Sequence, residues 1–270
     1  YGTELFSRRF VVYTPQVNVP AEVKRARDLK YYDTQQVVQF SINQKDFRLD
    51  NPQVAVKVAV LQNYRWDTAI TGLKPQYIIG NELVYRYDRE TAFWAGNEYF
   101  YFDSKDIRVA ASGIARFTRD RLVGSYLFTN VSRANSVYTY YPDINGDFLI
   151  TTVNGANPAN EADYTQVHFA LEGKSTFWGK EVYVYGKFSN YELRDEYKLT
   201  YDEKDGLFKG KVLLKQGFYN YKFATKEGRT IDFNEIGGNF YQTENTYIIL
   251  VYYRAPGALY DEVVGVGATK

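Results

Sequence analysis

Apolar and polar residues alternate with a period of two through much of this chain. The pattern is clearest at residues 54–61 (VAVKVAVL), 167–171 (VHFAL), 182–185 (VYVY), 211–214 (KVLL) and 247–253 (YIILVYY). A period of two sends successive side chains to opposite faces of a strand. The Val, Ile, Tyr and Phe in these runs suit a pleated, half-buried surface. Turn formers separate the runs: Asp50-Asn51-Pro52, Asn145-Gly146, Asp205-Gly206 and Gly237-Gly238. Asn-Gly and Asp-Gly tolerate the positive φ angles of a tight hairpin turn. Two hairpins are expected, one from residues 138–143 with 148–153 and one from residues 197–201 with 207–214. Residues 21–30 (AEVKRARDLK) have a helical composition but poor apolar spacing, and a strand follows at once, so they read as strand or extended chain.

Residues 154–162 (NGANPANEA) are polar, carry Gly and Pro and have no apolar period, which marks a linker. It divides the chain into a first β-sandwich over residues 15–153 and a second over residues 163–270. Residues 1–14 precede the break at Pro15 and read as a strand left from an upstream domain. There is no strand–helix–strand rhythm. The expected fold is all-β, two immunoglobulin-like β-sandwich domains in tandem, the second of the early-set type.

Composition narrows the function. The chain has 270 residues, 45% of them hydrophobic, enough for a core in each half. Its net charge is +1 with the signs interspersed, so the basic stripe of a nucleic-acid binder is missing. No cysteine is present, which excludes disulfides, thiolate nucleophiles and cysteine zinc sites. No run approaches the roughly 18 apolar residues of a membrane-spanning helix. Direct membrane insertion is therefore not expected.

Candidate chemistry is sparse. His168 is the only histidine, and alternation sets it opposite the face of Val167, Phe169 and Leu171, as a surface strand residue. No Gly-x-Ser-x-Gly elbow supplies it with a nucleophile. Asp143-Ile144-Asn145-Gly146-Asp147 resembles a calcium loop, but its Gly is fourth rather than sixth and Asn154 stands at the twelfth position, so it reads as a hairpin turn. Gly265-Val266-Gly267 lacks the third Gly and the following helix of a dinucleotide loop and reads as the frayed end of the last strand. The acidic pairs Glu161/Asp163 and Asp195/Glu196 lie in loops without an aromatic platform for a sugar. No catalytic residue, metal or cofactor is expected. Residues 91–102 (TAFWAGNEYFYF) hold six aromatics beside Gly96-Asn97. Most would be core in a sandwich, and one or two rings on a loop would serve as interface anchors. Trp94 and Tyr99 are the candidate partner-binding residues, with at least one of them expected to be partly exposed.

Several stretches taken in order are more specific: residues 61–75 (LQNYRWDTAITGLKP), Gly80-Asn81-Glu82-Leu83, residues 96–103 (GNEYFYFD), 213–220 (LLKQGFYN), 241–245 (YQTEN) and 250–266 (LVYYRAPGALYDEVVGV). Together they resemble the plug protein family of the type 9 secretion system, whose core domain was long a domain of unknown function. The resemblance runs over residues 8–267, with the family's first N-terminal β domain missing. It implies a non-catalytic protein of the periplasm of a Gram-negative bacterium, which closes the periplasmic mouth of an outer-membrane β-barrel translocon and takes that barrel as its partner. A second resemblance, carried by residues 182–190 (VYVYGKFSN) and 207–223 (LFKGKVLLKQGFYNYKF), is to glycogen-binding modules of early-set immunoglobulin fold. Those stack sugars on exposed tryptophans, and Tyr191 stands here where a Trp would follow the Asn. Carbohydrate binding in the cell envelope is the alternative this implies.

Overall fold

The computed structural model describes residues 10–110 and 112–269. The chain divides into two compact units, one of residues 1–94 with 245–270, the other of residues 95–244. The first part of unit 1 contributes β1 (Ala21–Arg25), β2 (Gln35–Asn43), a helical turn α1 (Pro52–Ala55), β3 (Val56–Gln62), β4 (Ile70–Thr71), β5 (Tyr77–Ile79), β6 (Glu82–Tyr85) and β7 (Ala92–Trp94). Unit 2 holds β8 (Phe100–Asp103), β9 (Ile114–Arg119), β10 (Val123–Leu127), β11 (Phe148–Ile150), a turn α2 (Pro158–Glu161), β12 (Tyr164–Glu172), β13 (Glu181–Tyr185), β14 (Lys198–Asp202), β15 (Leu207–Lys215), β16 (Gly217–Glu227) and β17 (Thr230–Asp232). The chain then returns to unit 1 for β18 (Tyr247–Tyr253) and β19 (Glu262–Ala268). The protein is all-β, as the alternation predicts.

Unit 1 is a sandwich. One sheet runs β1-β2-β6-β5, with β7 beside the first half of β2, and the other runs β19-β18-β3-β4. Val38, Phe40, Ile42, Leu83, Tyr85 and Phe93 from the first meet Val56, Val58, Val60, Tyr247, Ile249 and Val251 from the second. Burying each such side chain stabilises the fold by about 1.5–3 kcal/mol. β18 is apolar at every position because both its faces are covered. Ile248 and Leu250 join Ala59, Leu61 and Trp66 in a second cluster on the outer face.

Unit 2 is a single ten-stranded sheet, β11-β16-β13-β14-β15-β12-β10-β9, with β8 and β17 also on β16. It folds over itself. Val167, Phe169 and Leu171 of β12 share a core with Val182 and Val184 of β13 and with Tyr219, Tyr221 and Phe223 of β16. Tyr219 lies parallel to both Phe102 and Phe148, at 5.1 and 5.3 Å between centroids. Much of the aromatic content is therefore core.

The tandem order and the linker are corrected. Residues 154–162 lie inside unit 2 and include α2. Just beyond them Gln216 N–H donates to the Asp163 carbonyl, and β10 before them pairs in parallel with β12 after them. Unit 2 is inserted between β7 and β18, because β18 completes the sheet that β3 begins. Hydrogen bonding across the sheet outranks local composition here, and a polar stretch is as good a surface loop as a linker.

Other expectations divide. Residues 21–25 are a strand, as read. β14 and β15 form the expected hairpin around Asp205-Gly206. At Asn145-Gly146 the turn forms, with φ of 54° and 83° and Asp147 N–H donating to the Ile144 carbonyl. The hairpin does not form: residues 138–143 are not a strand, and β11 pairs with β16 instead. Pro142 removes a ladder donor from that segment. Gly265 and Gly267 are not frayed. They lie within β19 under the segment of Val17 and Val19, where a Cβ on Gly267 would stand 2.4 Å from the Val19 carbonyl oxygen. The expected strand over residues 1–14 falls largely outside the described residues, and residues 10–13 carry no strand pairing.

Candidate functional site

Alternation within β7 decides where Trp94 points. Phe93 enters the core of unit 1 and packs against Tyr247 at 5.1 Å, so Trp94 faces out and is 48% exposed. It is firmly held. Its backbone pairs with Gln35 of β2, its carbonyl accepts from Gln62 Nε2 at 3.0 Å, and its ring meets the edge of Tyr31 at 5.7 Å. The loop between β1 and β2 extends this surface. The Arg25 guanidinium stacks on exposed Tyr32 at 3.5 Å, and Leu29 stands in solvent.

Tyr99 behaves differently. It belongs to unit 2 and is only 4% exposed, which corrects any placing of it on an outer surface. Its N–H donates to Asp143 Oδ2 at 2.5 Å, Gly146 packs flat on its ring, and the Lys222 ammonium sits 3.9 Å from the ring centroid. The segment around it is a structural knot. Gly96 accepts from Phe240 N–H and Thr243 Oγ1, its own N–H donates to Asn239 Oδ1, and Asn97 Nδ2 donates to the Gly237 carbonyl. The Gly-Asn pair thus serves as an anchor for residues 237–243 rather than as an exposed turn.

Glu98 lies at the centre of this knot, 1% exposed. Its carboxylate accepts from the Tyr138 hydroxyl at 2.5 Å and from Glu244 N–H at 3.1 Å, and its carbonyl accepts from Arg133. Burial lifts its carboxyl above the usual range, and these hydrogen bonds oppose the lift. A raised carboxyl pKa is also the mark of a general acid, but this carboxylate is enclosed by its own partners, which favours a structural role.

His168 stands where alternation puts it, opposite Val167 and Phe169, and stacks on Tyr126. Asp143 and Asp147 are engaged locally: the first accepts from Tyr99 and Asn145 N–H groups, the second pairs with Lys187. Among the described residues no cluster of three or more His, Asp or Glu is arranged to hold a metal. Trp178 is 66% exposed beside a short turn, and Tyr191 has a positive φ of 58°. Glu196 of the second acidic pair bonds to Arg194 at 3.0 Å.

Two features of unit 1 escaped the sequence reading. The loop between β18 and β19 lifts Leu259, 93% exposed, and Tyr260 into solvent. On the outer face of the β19-β18-β3-β4 sheet, Trp66, Leu73, Lys74 and Tyr252 border a groove of about 400 Å³. At its margin Lys57 and Arg254 both bond to Asp261 and hold its carboxyl below the usual range. The signal for the loop was present, since RAPGALYDE places Leu-Tyr among turn formers.

These features define an all-β protein with exposed apolar side chains on both units, Trp94, Leu259 and Tyr260 among those of unit 1. No family model matches the chain, and no curated protein matches it. A solved structure of a hypothetical protein from Parabacteroides merdae is similar, with 35% sequence identity and a TM-score of 0.87. The match covers 94% of this chain and 64% of that one, so this chain spans under two thirds of that protein's length.

Proposed function

We propose that this is a non-catalytic β protein of the Gram-negative periplasm that docks on a macromolecular partner, in the manner of the plug that closes a type 9 secretion translocon. The observation that carries the reading is Trp94, a large aromatic half in solvent on a strand whose neighbour is locked in the core. A pre-ordered aromatic loses little entropy on binding, and such residues dominate interface energetics. Leu259 and Tyr260 support it, because they are exposed and belong to one of the stretches that resemble the plug family. The partner in this reading is the outer-membrane β-barrel, held by aromatic burial within a rim of mixed charge.

A photo-crosslinking amino acid in place of Trp94, in cells of a bacterium with this secretion system, tests the proposal. The expected product joins the chain to an outer-membrane barrel protein. Crosslinks confined to polysaccharide would favour the carbohydrate reading, for which exposed Trp178 is the available platform. Absence of any product at Trp94, Leu259 and Tyr260 would sink the docking idea.

A further inference from the structure

Strands β9, β10, β12 and β15 of unit 2 lie side by side, and their register brings one residue from each into a single row. Arg116 is opposite Tyr126, Tyr126 is beside His168, and His168 is opposite Lys211. Val167 and Phe169, flanking His168, face the core, so the row stands on the outer face of the sheet. Its rings are packed on one another. Tyr126 and His168 stack with centroids 4.0 Å apart and planes 6° apart, and the Arg116 guanidinium lies 3.7 Å from the Tyr126 centroid, reaching it from the strand on the other flank. Arg116 and Lys211 are exposed, and neither forms an ion pair among the described residues. Lys209, also on β15, is by contrast already taken up by Asp202 and Asp205.

We propose that this row binds an extended acidic segment of a partner protein, with carboxylates of the segment pairing with Arg116 and Lys211 at its ends and accepting from His168 and Tyr126 between them. Three observations favour that occupant. The cations at the two ends have no acid of their own, so the face is complementary to negative charge. The Tyr126 ring is stacked on His168 and on the Arg116 guanidinium, so it offers no free platform for stacking a sugar or a base. The spacing also fits. Adjacent strands lie about 4.8 Å apart, so three steps from Arg116 to Lys211 span about 14 Å. An extended chain rises about 3.4 Å per residue, so its residues i and i+4 sit about 14 Å apart on one face, with i+2 midway.

His168 reports on the site. Packing against Tyr126 removes water from it, Lys211 and Arg116 face it from either side, and all three effects hold its pKa below the ordinary imidazole value. The charged and titratable groups facing it are Arg116 on β9, Tyr126 on β10 and Lys211 on β15, with no carboxylate among them. A bound carboxylate supplies the missing charge and favours the imidazolium. Because His168 is the only histidine, its ring proton signals come from this row alone.

The test titrates the full chain with a blocked Glu-Ser-Glu-Ser-Glu peptide while the histidine ring resonances are followed. The expected result is a saturable shift, a rise in the His168 pKa on binding, and affinity at least about fivefold tighter near pH 5.5 than near pH 8. Arg116→Gln combined with Lys211→Gln should weaken binding about tenfold or more with an unchanged melt, and a blocked Lys-Ser-Lys-Ser-Lys peptide should leave the resonances still. No saturable shift, or equal affinity in the double variant, overturns the proposal. So does a shift produced by phosphatidylglycerol vesicles and not by the acidic peptide, which would make the occupant a membrane surface. The proposal is independent of the plug-like reading, which concerns unit 1.

Discussion

Trp94 and Phe93 are adjacent, yet they carry opposite burdens. Phe93 packs among Tyr247, Val38 and Val60 in the core of unit 1, and Phe93→Ala should cost about 3–5 kcal/mol. Trp94 meets Tyr31 edge-on and is half in solvent. Trp94→Ala should cost less than about 1.5 kcal/mol, and it should weaken docking by about 2 kcal/mol or more. Denaturant melts of both variants check the first statement, and a Trp94→Ala protein without a cooperative melt would contradict it. Glu98 gives a pH signature. Its carboxyl pKa is raised on folding, so the folded state holds that proton more tightly than the unfolded chain. Stability from this group is present below the unfolded value of about 4.3 and is lost as pH rises through the higher folded value. Glu98→Gln should therefore flatten the stability–pH curve just above that point. Parallel slopes for native and variant protein would contradict the assignment.

At the scale of elements, close packing decides more than local propensity. β19 carries two glycines because the segment holding Val17 and Val19 crosses it with no room for a Cβ. Gly267→Ala should destabilise the protein by about 1–3 kcal/mol, since the new carbon meets backbone rather than a side chain that can swing away. A thermal melt that matches the native protein would contradict that placement. The knot around Gly96, Asn97 and Glu98 makes the same point. Its three residues hold the chain at 237–244 through side-chain and backbone bonds spanning about 140 positions of sequence. Their types are legible in the sequence, but their partners are not, because polar residues near Gly look alike whether they cap a turn or brace a distant loop.

For the whole molecule, the nested arrangement has a direct consequence. Residues 95–244 contain every strand of the ten-stranded sheet and its core. Expressed alone, this segment should fold with a single cooperative transition. Fragments cut within residues 154–162 should not fold, because the cut separates β8 and β11 from β16 and β10 from β12. Far-ultraviolet circular dichroism and denaturant melts of both fragment designs test this. Two independently folded fragments from the cut at 154–162 would restore the tandem arrangement.

What the sequence determined by itself is the class of the fold and the face of most strand residues. Period-two alternation is a local property and survives in any all-β arrangement. It correctly set His168 opposite Val167 and Phe169, and it carried the β14–β15 hairpin. It also left one of Trp94 and Tyr99 to be exposed without saying which. That choice belongs to the tertiary structure. Tyr99 is enclosed by Asp143, Gly146 and Lys222, which lie 44 or more positions away in sequence, whereas Trp94 takes the face of β7 opposite the buried Phe93. The nesting of unit 2, the glycines of β19 and the row from Arg116 to Lys211 are decided the same way. Each depends on which strands become neighbours, and strand pairing is a contest among distant backbone groups that local pattern does not encode.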